Sequence, residues 1–137
     1  MNNKTTVIKT HTPKWHFIDA NGQTLGRLAS KISKILSGKN SAEFSYRTNS
    51  GDKVVITNAS KIEITGNKED TKVYYWHTGF PGGIKNETLG DRMRRKPEEV
   101  LRKSISGMLP KNKLRRIRLN NLYIYKDAEH PHKGQEK

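Results

Sequence analysis

Between Arg92 and Arg118 the chain carries eleven Lys or Arg residues and only two acids, Glu98 and Glu99. That stretch alone supplies a local charge of +9 out of a net +14 over 137 residues. A field of this density repels itself and concentrates phosphate-type ligands. The fold beneath it has little apolar material to work with. Leu, Ile, Val and Phe number 28 of the 137 residues, close to the level of about 20% below which highly charged chains stay disordered. One domain with a thin core is therefore expected.

Several classes are excluded or disfavoured at once. The chain has no Cys, which removes disulfide scaffolds and Cys-ligated zinc or iron–sulfur sites. No apolar run approaches the ~18 residues of a membrane span. No charged-then-apolar signal segment opens the chain, so a soluble intracellular protein with a polyanionic partner is expected. Nucleic acid is the favoured partner, and an anionic membrane surface the weaker one.

The apolar pattern alternates strands with helices. Trp15–Ile18 reads as a strand and Asn21-Gly22 as a turn. Thr24 stands in capping position before Leu25, Leu28, Ala29, Ile32, Ile35 and Leu36, which recur at helical spacing, with Gly38 as the stop. Residues 39–52 read as an irregular basic loop, and Val54-Val55-Ile56 as a buried strand. Ile62–Thr65 alternates like a strand with one wet face, and Lys72–His77 reads as an aromatic strand. Thr88 and Asp91 resemble a capping box, and Pro97 with Glu98 and Glu99 opens a further helix. That helix carries Gly107 in its interior, which costs about 1 kcal/mol relative to Ala. Residues 114–119 suit a helix, and 122–125 a last strand. The expected class is α/β: a single domain at 15–126 with a mixed, largely parallel sheet and helices on its faces. A flexible arm is expected at 1–14 and a polar tail at 127–137.

Motifs for chemistry are sparse. Gly79-Phe80-Pro81-Gly82-Gly83 is expected between a strand and a helix, a setting that suits phosphate cradling. Its spacing, however, matches neither nucleotide-binding fingerprint. No His pair has metal-ligand spacing, and no Ser motif marks a nucleophile. No cofactor, metal or small-molecule substrate is expected. Tyr46, Tyr74, Tyr75, Trp76, Tyr123 and Tyr125 could stack bases, but five of the six fall on expected strands, so core packing is the default for about half of them. The remaining chemistry is phosphate contact by Lys and by the planar fork of Arg. Structured RNA read by shape and backbone is the natural ligand, and no DNA-binding motif is visible.

The ordered blocks of the chain resemble the ribosomal protein L-thirteen family of the large subunit. They are Trp15–Ala20, Thr24–Ser30, Val54–Ile56 with Asn58-Ala59, Ile64–Lys68, Lys72–Tyr75, His77–Gly79, Gly107–Lys111 and Glu129–His132. The resemblance runs from about Trp15 to His132. It departs at Asn49, at Ser106, where the family usually has Lys, and at Asn112-Lys113, where Gly is common.

This resemblance implies a three-layer α/β/α fold of bacterial or organellar type, without catalysis. It also implies binding to large-subunit ribosomal RNA during assembly, beside other ribosomal proteins, in the ribosomes of the cytoplasm or an organelle. The candidate contacts are Arg27, Lys39, Arg47, Lys68, Lys72, His77, Lys85, Arg94, Arg95, Lys111, Lys113, Arg115, Arg116 and Arg118. Two other readings are a regulatory RNA-binding protein acting off the ribosome and a nucleotide-using enzyme built on the loop at 79–83.

Overall fold

A computed structural model describes residues 12–136. The arm expected at 1–14 therefore lies mostly outside the described residues. Three strands form a parallel sheet in the order β1 (Trp15–Asp19), β2 (Lys53–Thr57), β5 (Leu122–Ile124). Phe17 pairs with Val55 and Val55 with Tyr123 across the sheet. Val54, Val55 and Ile56 are all fully buried, as the centre of a parallel sheet covered on both faces requires.

One face packs on helices. The stripe read from Leu25 to Leu36 forms α1 (Leu25–Ser37), and Leu28, Ala29, Ile32 and Leu36 are buried. They share a core with Val54, Ile56 and Leu122 of the sheet and with Leu101 and Ile105 of α4 (Pro97–Met108). Gly38 ends α1 in the left-handed region at φ 77°, where its N–H donates to the Ile35 carbonyl at 2.9 Å. Thr24 occupies the cap position of α1, but its side chain makes no capping bond. The helix start is held instead by the Leu25 N–H, which donates to the Glu63 carbonyl at 3.0 Å.

On the second face the rings of Trp15 and Tyr123 stack at 5.9 Å, and His132 lies 5.2 Å from Trp15. His130 sits 5.7 Å from Phe17. The C-terminal segment, with a 3-10 turn at Lys133–Gln135, thus supplies the third layer. Composition marks 127–137 as polar, but two imidazoles within it pack on the sheet's aromatic rings.

The structure corrects the sequence reading in the middle of the chain. Ile62–Thr65 makes no strand, only the bridge from Glu63 to Thr24. Its alternation is used instead to tuck Ile62 into the main core and Ile64 against a second cluster around Tyr74, Leu89 and Val100. Conversely, Ile84–Thr88 is a strand, β4, paired antiparallel with β3 (Val73–His77). Its sequence holds one apolar residue, so periodicity could not announce it. The Gly loop therefore joins two strands of a separate hairpin and does not lead into a helix. The expected mixed sheet resolves into the parallel sheet and this hairpin.

The short helix α2 (Lys68–Thr71) precedes β3, and α3 (Leu89–Arg95) follows β4. Thr88 caps α3 as expected, accepting from the Asp91 N–H at 3.2 Å. The helix expected at 114–119 is α5 (Leu114–Asn120).

Candidate nucleic-acid interface

The candidate cations come from loops and helix ends, where long side chains reach water. Arg27 projects from α1, Lys39 follows its cap, and Arg47 lies in the irregular loop; all three are exposed. Lys68 opens α2 and Lys72 follows it, His77 ends β3, and Lys85 lies on β4, again exposed. Lys111 and Lys113 precede α5, and Arg116 lies on it with its side chain outward. His77 is oriented by its own turn, since the Gly79 N–H donates to its Nδ1 at 2.9 Å.

The Arg92–Lys96 cluster is less naked than its sequence implies. Arg95 pairs with Glu87 at 2.8 Å and Arg94 with Asp91 at 3.6 Å. Arg92 and Lys96 each hold Glu99 at 3.0 Å. The side-chain hydrogen bond from Arg92, then that from Lys96, keeps the Glu99 carboxyl below its ordinary pKa. Glu87 and Asp91 lie just outside the counted segment, and folding carries them into it. Exposed pairs of this kind contribute little stability, so phosphate oxygens can compete for the same guanidinium groups.

Two candidates are turned away from solvent. Arg115 is half-buried and donates through Nε and Nη2 to the Ser106 hydroxyl at 3.1 and 2.6 Å. A Lys at position 106 would repel it. Arg118 is only 2% exposed, its Nε has no partner, and burial pushes its pKa below the ordinary arginine range. Arg118 is therefore not part of the surface in this state, against the expectation. Arg102 is also structural, donating to the carbonyls of Leu119 and Leu122 at 3.4 and 3.1 Å.

One cation was missed among the candidates. Lys103 on α4 is exposed, and its Nζ lies 4.3 Å from the centre of the Tyr74 ring. The Lys72 Nζ lies 5.5 Å from the same ring. No local signal connects positions 72, 74 and 103; α4 crossing the base of the hairpin brings them together. Of the aromatics, Tyr74 is buried, whereas Tyr46, Tyr75 and Trp76 are exposed.

Several N–H donors of the Gly loop are engaged within the hairpin. The Gly83 N–H donates to the Phe80 carbonyl and the Thr78 N–H to that of Gly83, both at 2.9 Å. Among the described residues no group of three His, Asp or Glu side chains converges on a metal-sized site, and no helix is long and apolar enough to cross a membrane.

The class these features define is a basic α/β protein with exposed cations on several sides. A family model described as Ribosomal protein L13 matches residues 13–131, and the chain belongs to that family, in its bacterial form. The Large ribosomal subunit protein uL13 of Rubrobacter xylanophilus is 50% identical over 122 residues, covering 89% of this chain and 85% of the relative. Its namesake in Geobacter sulfurreducens is 48% identical over 125 residues, 91% of this chain and 87% of that one. A third, in Staphylococcus aureus, is 50% identical over 123 residues, 90% and 85%.

Proposed function

We propose that the chain is a structural constituent of the large ribosomal subunit that binds large-subunit ribosomal RNA and holds RNA segments in register during assembly. The observation that carries this reading is the family match along nearly the whole described chain, joined to exposed cations on three separate regions. Those regions are the α1 end with its loop, the hairpin base, and the α4–α5 turn. Cations dispersed in this way can neutralise phosphates of several RNA segments at once and set their relative geometry. Neighbouring ribosomal proteins are the remaining partners, in the cytoplasm of a bacterium. No catalytic role is assigned.

The test is a sucrose gradient of cell lysate at low and moderate salt. Co-migration with the large subunit and with whole ribosomes in both is the expected result. A chain that stays at the top of the gradient would overturn the proposal in favour of free regulatory RNA targets.

A further inference from the structure

A cleft of about 530 Å³ opens between the start of α1, residues 63–72 and the end of α4. This is within the size range of small-ligand sites, roughly 300–1,000 Å³. Leu25, Ile64, Leu89 and Met108 contribute its apolar lining. Two helical glycines, Gly26 and Gly107, also line it, and a Cβ at either would meet nothing within 4 Å. Neither has a positive φ, so neither backbone needs glycine. A helix disfavours glycine, and here the space released faces the cleft.

The rim is cationic. Lys68, Lys72 and Lys103 line the cleft. Lys72 and Lys103 converge on the Tyr74 ring at 5.5 and 4.3 Å, and neither has a carboxylate partner among the described residues. Arg92, the third cation on that ring, is held by Glu99. Both ammonium groups line the same cleft, so an anion entering it meets positive charge from two elements. Glu63 is the one acid in the lining, and it offers an acceptor to an N–H donor.

We propose that this cleft takes a single nucleotide of the bound RNA, turned out of its stack. The base lies on the apolar lining against the glycine backbones, and its phosphate sits between Lys72 and Lys103. An unstacked base combines a flat apolar face, polar edges and an attached anion, which is the chemistry the cleft presents. The inference rests on the RNA-binding reading above.

The test reconstitutes the full chain with large-subunit ribosomal RNA and maps each nucleotide with base-specific and 2′-hydroxyl reagents. With the native chain, one nucleotide should show a protected base together with heightened 2′-hydroxyl reactivity. Gly107→Leu puts an isobutyl group at the cleft wall, starting from a Cβ position that has no atom within 4 Å. It should keep the native melting temperature or raise it, lose protection at that one base, and retain the other protections. The double variant Lys72→Ala/Lys103→Ala should lose the same protection, and it is read alone if Gly107→Leu fails to fold.

Protection unchanged in both variants would overturn the proposal. So would a free nucleoside monophosphate shifting the NMR signals of cleft residues while the RNA protections stay native in the variants. No protection anywhere with the native chain would instead overturn the RNA-binding reading itself.

Discussion

The salt dependence of RNA binding follows from which cations the fold leaves free. Of the fourteen candidates, Arg118 is buried, Arg115 is engaged by Ser106, and Arg94 and Arg95 face carboxylates. With His77 counted as neutral, nine exposed cations are left among them (Arg27, Lys39, Arg47, Lys68, Lys72, Lys85, Lys111, Lys113 and Arg116), and Lys103, which the fold adds, makes ten. Each phosphate neutralised releases about 0.7 counterion on single strands and about 0.9 on a duplex. Ten contacts therefore predict a slope of log K against log salt of roughly −7 to −9.

The assay is filter binding of the full chain to large-subunit ribosomal RNA over a series of salt concentrations. Replacing Lys111, Lys113 and Arg116 together by Ala should make the slope shallower by roughly 2 to 3. Arg118→Met should leave it unchanged, because that guanidinium is not at the surface. A native slope of only about −1 to −2 would refute the reasoning, since so few contacts could not make these cations the interface. A slope that Arg118→Met reduces as much as Arg116→Ala does would show that Arg118 turns outward on binding.

Arg118→Met should also stabilise the free chain by about 1–3 kcal/mol, because it removes a buried donor left without a partner. Urea unfolding checks this, and a lower midpoint would contradict it. Gly38→Ala should destabilise by about 1–3 kcal/mol: it forces a Cβ into left-handed backbone, 2.9 Å from the Ser50 Cβ. An unfolding midpoint equal to the native one would count against that account of the α1 cap. Two exposed carboxylates predict an acid-side loss of stability. The Asn21 N–H and then the Asn58 side chain lower the pKa of Asp19, as Arg92 and Lys96 lower that of Glu99. Folded values below unfolded ones give stability that is present above about pH 4 and lost as the pH falls through the folded values. The double variant Asp19→Asn/Glu99→Gln should lose part of that dependence in unfolding curves from pH 6 to 3, and an identical pH profile would refute the assignment.

Much of the fold was legible in local order. The 3.6-residue recurrence from Leu25 to Leu36, the stop at Gly38, the Thr88 cap and Pro97 opening α4 each depend on a few neighbouring residues. Each was recovered where the pattern placed it. The run Val54-Val55-Ile56 likewise announced a strand covered on both faces. The family too was carried by the linear order of blocks, because a motif is itself a local pattern.

By itself, then, the sequence determined the local elements, the excess of cations and the family. The tertiary structure decided which cations are free and where they meet. Ile84–Thr88 became a strand because β3 supplied its partner, and Ile62–Thr65 stayed out of the sheet because its bonds went to the loop before α1. Arg118 carries the same formal charge as Arg116 in the sequence, yet one is buried and the other exposed. Glu87 and Asp91 reduce a cluster that the sequence shows as almost bare, and Lys103 reaches the ring beside Lys72 from a helix 31 positions away. The physical reason is the range of the interactions. Backbone preference and periodicity act over a few residues, whereas desolvation, ion pairing and strand partnership depend on neighbours that only the folded chain brings within reach.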